Sequence, residues 1–231
     1  MKKFLLFFML LPLFIFTACQ KDLSLPDPSD TVLSKEFEYF KEIALGSEFS
    51  SGNKFIKKWD SNLRIFLMGE DVPELNQELD AIIAELEVLA SPIKFHMVDT
   101  KADANYIIYF GKSDDYVNLV EPAASSKVAD NWGLFWIYWD SNCIINKGSM
   151  YVDTHRTQRL AEKKHLLREE FTQSLGLMND SYKYEESIFQ QKWTSTISYA
   201  DIDKQLIQIL YDPRIKTCMN ETEVNEVLKN W

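Results

Sequence analysis

Basic residues, glycine and histidine are in short supply in this 231-residue chain. Lysine and arginine total 25 against 35 aspartates and glutamates, a formal net charge of −10 at neutral pH. A nucleic-acid partner needs a basic footprint for its phosphates, so the charge balance argues against that class. The 7 glycines are scattered, and none forms a phosphate-cradling loop between a strand and a helix. Ser174 lacks the Gly-x-Ser-x-Gly elbow of a serine hydrolase, and Cys143 has no identifiable base. Histidine occurs only at His96, His155 and His165, so any imidazole site must draw on these three. Of the three cysteines, Cys143 and Cys218 are far apart in sequence. An exported protein would allow them to pair, but sequence cannot place them within bonding distance, and the question stays open.

Long apolar runs are also absent, save one at the start. Lys2 and Lys3 precede an uncharged run from Phe4 to Phe16, which has the length of an export signal and is short for a permanent span. Phe16-Thr17-Ala18-Cys19 resembles a bacterial lipobox. The resemblance implies a signal peptide over 1–18 and lipidation of Cys19 as the first mature residue. Gln20 stands where an aspartate would retain the lipoprotein in the inner membrane, so the expected location is the cell envelope, anchored at the outer membrane. A polar stretch with Pro26 and Pro28 then reads as a tether over 19–31, which leaves 32–231 for one domain.

Within that domain the hydrophobic periods alternate. Leu33, Phe37, Phe40 and Ala44 recur at helical spacing before Gly46, and Phe49 to Asn53 is a turn-rich break. Leu63 to Leu67 reads as a strand, followed by a helix from Asp71 to Ala90 with Pro73 near its start. Ile93 to Val98, Asn105 to Phe110, Trp132 to Trp139 and Cys143 to Val152 read as strands, and Ser113 to Val120 as a short helix or loop. Trp132 to Trp139 is apolar on both alternating faces, which predicts a buried central strand rather than an aromatic stacking row. Thr157 to Leu175 is a long helix. The layout is α/β (α+β), a mixed twisted sheet with helices packed on it.

The long helix carries Glu169-Glu170-Phe171-Thr172-Gln173-Ser174-Leu175-Gly176-Leu177-Met178-Asn179-Asp180. In spacing this resembles the extended zinc motif of metzincin peptidases. There, two histidines one helical turn apart bind Zn²⁺, a glutamate activates water, and a third ligand follows a glycine. Glu169, Gln173 and Asn179 fall on the ligand places, Glu170 on the catalytic glutamate and Gly176 on the glycine. Ser187-Ile188-Phe189 stands where that family has a tight turn with methionine, and Ile197 to Tyr211 is similar to its last helix. The same block, with Leu210-Tyr211-Asp212-Pro213, resembles a family of bacterial lipoproteins of unknown function, the DUF2927 type. The resemblance implies a zincin-like domain with an N-terminal lobe over about 54–176 and a small helical C-terminal lobe over about 177–231.

The ligand chemistry departs from that pattern. One carboxylate and two amide oxygens are poor donors to zinc, so the expectation is that no metal is held. Two alternatives stay open. Glu169, Gln173 and Asn179 with Asp180 would suit a hard cation such as Ca²⁺. A shifted zinc site would use His165, Glu169 and His155. Without a metal, Glu170 has no activated water to deprotonate, because zinc brings the pKa of water from ~16 to ~7. The expected function is therefore a binding or structural lipoprotein with a peptide or protein partner. The alternative is an atypical metallopeptidase with Glu170 as general base.

Overall fold

The computed structural model describes residues 28–46 and 54–231, with side chains of the first helix from Lys35 onward. The export segment, Cys19 and the turn-rich break after Gly46 lie outside the described residues. No helix among the described residues is long and apolar enough to cross a membrane.

Helix α1 (Pro28–Leu45) starts ahead of the apolar recurrence that announced it, so Pro28 and Ser29 lie in its first turn rather than in a tether. Proline at a helix start loses only an N–H that would be unsatisfied anyway. The chain then forms β1 (Lys58–Trp59), β2 (Leu63–Gly69), α2 (Pro73–Leu89), β3 (Phe95–Met97) and β4 (Tyr106–Gly111). After α3 (Ser113–Leu119) and a 3₁₀ turn (Pro122–Ser126) come β5 (Gly133–Trp139), β6 (Ile144–Asp153) and α4 (Leu160–Gln173). Helices α5 (Asp201–Tyr211) and α6 (Glu221–Leu228) complete the chain.

The sheet order is β1-β6-β4-β2-β3 with every pair parallel, and β5 lies antiparallel on β6. The sheet is mixed, as the alternating periods predict, and the domain is α/β. Strand β4 is buried along its whole length, which suits the unbroken apolar run of a central parallel strand. Helix α2 puts Leu75, Leu79, Ile82 and Leu86 into the main core.

Strand β5 corrects one expectation. Its faces alternate as read: Phe135 and Ile137 join the main core, while Leu134 and Trp136 pack with Tyr109, Tyr116 and Tyr151. Yet among the described residues β5 pairs only with β6, so it is an edge strand and not a central one. Apolarity reports covered faces, and both faces of β5 are covered from Gly133 to Ile137, while Tyr138 and Trp139 are exposed; it says nothing about unpaired backbone on the edge.

Two further features were not fixed by sequence. Cys143 and Cys218 form a disulfide with Cα atoms 5.2 Å apart, joining the β5–β6 turn to the segment before α6. Helix α6 went unread, although Asn220 caps it by accepting from the N–H groups of Thr222 and Glu223 at 2.9 and 3.1 Å.

Candidate functional site

A cleft of about 640 Å³ lies along α4, between the start of β5 and the segment Gln190–Trp193. Its floor and its two walls each have an identifiable cause.

The floor is one stripe of α4. Glu162, His165, Leu166, Glu169, Glu170 and Gln173 recur at three- and four-residue steps and line the cleft. The opposite face is core: Phe171 meets Phe95 and Tyr106 with ring centroids 5.8 and 5.5 Å apart. Arg168 locks α4 to α2. Its guanidinium donates at 2.8 Å to both Glu78 and Glu85 and stacks 4.6 Å from the centre of the Tyr199 ring.

The first wall is positioned from the end of β6. The buried Asp153 carboxylate accepts from the backbone N–H groups of Ser113, His155 and Arg156, and from the Arg156 guanidinium at 2.7 Å. Burial works against its charge, but these donors prevail and hold the carboxyl below its ordinary value. The same guanidinium donates to the carbonyls of Val128, Ala129 and Asn131, which fixes the approach to Trp132 and β5.

The second wall hangs from the buried turn at Ser187-Ile188-Phe189. Asp203 accepts from the Ser187 hydroxyl at 2.5 Å and from the N–H groups of Ile188 and Ala200 at 3.0 and 2.9 Å. Ser181 N–H donates to Phe189 O, and Gln191 N–H to Ser181 O, which sets the course of Gln190 to Trp193. Trp193 then reaches Trp132 across the cleft, with ring centroids 5.5 Å apart and planes at 75°.

Five of the residues singled out by sequence, His165, Glu169, Glu170, Gln173 and Asp180, meet at the floor. His165 is buried, with Nδ1 2.8 Å from the Thr196 carbonyl and Nε2 3.2 Å from both Glu169 Oε2 and Thr194 Oγ1. A carbonyl only accepts, so Nδ1 carries a proton. Burial pulls the imidazole pKa down, but the Glu169 hydrogen bond and charge, with the Thr196 carbonyl, raise it above its ordinary value. Gln173 donates from Nε2 to Asp180 Oδ1 at 2.5 Å. Glu170 packs against β5 where Gly133 leaves room: a Cβ there would sit 2.9 Å from Glu170 Oε1 and 3.0 Å from Leu166 Cδ2.

Two singled-out residues lie elsewhere. Asn179, placed by spacing on the third ligand position, donates to Glu42 O at 3.2 Å and lines a separate hollow with Lys41 and Lys183. Asp180, not Asn179, faces the cleft. The phase changes at Gly176, whose φ is +124° and where a Cβ would come 2.1 Å from Lys57 O; only glycine fits. His155 is half-exposed and pairs with Glu70 at 2.6 Å beyond β2, so it does not join His165 and Glu169 in a shifted site. Cys19 lies outside the described residues.

These donors do not fit a zinc ion. The two ligand places on α4 hold a carboxylate and an amide, and the amide N–H faces Asp180. His165 Nε2 is directed at Glu169 and Thr194. Among the described residues, no three His, Cys, Asp or Glu side chains converge on a common point suited to a metal.

Trp193, Lys192 and Gln190 also line the cleft and belong to none of the motifs above. Trp193 carried a usable signal, as a lone large aromatic in the polar tract Gln190-Gln191-Lys192-Trp193-Thr194-Ser195.

Known proteins bear on the fold and the family. Solved structures similar to this chain include one described as the crystal structure of myroilysin, with 13% identity over 76% of this chain and 93% of that one, at a TM-score of 0.43. A second, described as the structure of myroilysin, has 14% identity over 68% of this chain and 96% of that one, at a TM-score of 0.40. No curated protein matches. The family described as Protein of unknown function (DUF2927) matches residues 35–230, and the chain belongs to that family.

Proposed function

We propose that this chain is a lipid-anchored envelope protein whose metzincin-like domain binds an extended peptide segment in the α4–β5 cleft without cutting it. The observation that carries the reading is the pairing of an open cleft with an unsuitable donor set. The cleft opens at Gly133, the start of β5, whose one strand partner among the described residues is β6, so an extended segment can add to the other edge through main-chain hydrogen bonds. Its floor offers Glu169, Gln173 and Asp180, already engaged with His165 and with one another, where a peptidase needs nitrogen donors. Glu170 keeps its place beside β5, but a carboxylate alone does not supply the shift in water acidity that a metal does. The N-terminal residues support the anchor: a basic start, an apolar run and Cys19 after small residues. On this reading the mature chain is tethered through Cys19 at the outer membrane.

The test is a titration of the mature chain with extended peptides, followed by tryptophan fluorescence, with mass analysis of the peptides afterwards. Saturable quenching with every peptide recovered whole is the expected result. Cleavage that disappears in Glu170→Gln and in the presence of a chelator would instead establish an atypical metallopeptidase.

A further inference from the structure

The charges and rim of the cleft narrow what it holds; this step rests on the binding reading above. Asp130, Glu162, Glu169, Glu170 and Asp180 line the cleft, against the basic side chains of His165 and Lys192. Glu162 is answered by Arg159 at 2.8 Å and Glu169 by His165 at 3.2 Å. The lining as a whole keeps an acidic excess, in a chain whose net charge is −10.

Above this floor stand Trp132 and Trp193, 39% and 54% exposed, with their planes 75° apart. Other aromatics of the chain, Tyr182 and Trp139 among them, are as open, but Trp132 and Trp193 meet from opposite walls of one cavity. The two rings meet edge to face, so the face of one and the flank of the other form a corner. The negative faces of indole rings attract an ammonium or guanidinium group, and carboxylates beyond them stabilise the same charge. An uncharged alkyl side chain would fill the corner but gain nothing from the carboxylates, and an acidic one would be repelled.

We propose that the cleft takes an extended protein segment carrying a lysine or arginine, whose side chain enters the Trp132–Trp193 corner and points toward Glu169 and Glu170. The segment's main chain runs along the open edge of β5. Alternate side chains then face the α4 floor, so one basic residue suffices to set the register. The acidic chain also attracts a basic segment before contact is made.

The test uses the mature chain and short extended peptides identical except at one central position, which is Lys, Arg, norleucine or Glu. Binding is read by tryptophan fluorescence and calorimetry at low and high salt. The Lys and Arg peptides are expected to bind about tenfold tighter than the norleucine peptide, with the advantage shrinking in salt. Trp193→Ala, at an exposed position, is expected to remove most of that advantage while the melting temperature stays put. Glu169→Gln is expected to reduce it severalfold. Equal affinity for Lys and norleucine peptides would overturn the basic preference and leave the binding reading intact. Absence of binding by any of the four, in a chain that melts cooperatively, would overturn both.

Discussion

Reducing the Cys143–Cys218 bond is the perturbation whose size follows most directly from the fold. The two cysteines are separated by 75 residues, a span that includes all of β6, α4 and α5. Closing a loop of that length removes chain entropy from the unfolded ensemble, worth about 4.5 kcal/mol at room temperature in the chain-entropy description. The segment the bond ties down also meets Ile56: Cys218 N–H donates to Ile56 O at 2.8 Å, and Ile56 N–H to Met219 O at 2.9 Å. For a domain of this size each kcal/mol moves the melting temperature by roughly 2–4 °C, so loss of the bond should lower it by about 9–18 °C. Thermal unfolding followed by circular dichroism, with and without reductant, measures this, and Cys143→Ala/Cys218→Ala should melt with the reduced chain. Oxidised and reduced forms melting within about 2 °C of each other would refute the reasoning.

Other outcomes follow from the polar groups that hold the cleft in place. Arg168→Met leaves the buried Glu78 carboxylate to Lys164 alone, 3.4 Å away, and should cost about 3 kcal/mol by urea unfolding at unchanged slope, whereas replacing Arg168 and Glu78 together by Met should recover most of it. At alkaline pH the chain should lose stability steeply. Burial raises the phenols of Tyr106, Tyr116, Tyr199 and Tyr211 above their ordinary value. Above pH ~10 the unfolded phenols lose protons that the native ones keep, so stability falls with rising pH at about 1.4 kcal/mol per unit for each. Phenolate absorbance should therefore appear together with unfolding; absorbance rising while near-ultraviolet dichroism persists would contradict this.

Much of the scaffold was legible because it rests on periodicity and backbone chemistry. The stripe of α4 could be read from its three- and four-residue steps, Gly176 from its helix-ending place, and β4 from its unbroken apolar run. The misplacements have a common cause in tertiary path. Asn179 and Asp180 are adjacent, and which of them faces the cleft depends on the positive φ at Gly176, a quantity that spacing does not carry. His155 shares a helix-proximal stretch with His165, but Asp153 turns it outward to Glu70. Trp132 to Trp139 announced burial on both faces and hid its open edge. Trp193 became interesting only once the turn held by Asp203 brought it over Trp132.

The α4–β5 cleft is proposed to hold a peptide segment without a metal. Elemental analysis of the purified mature chain, paired with melting curves in chelator and in added zinc, addresses it most directly. No stoichiometric metal and the same melting temperature in both conditions are expected. One zinc per chain, with a melting temperature that climbs with zinc concentration as mass action requires, would contradict it.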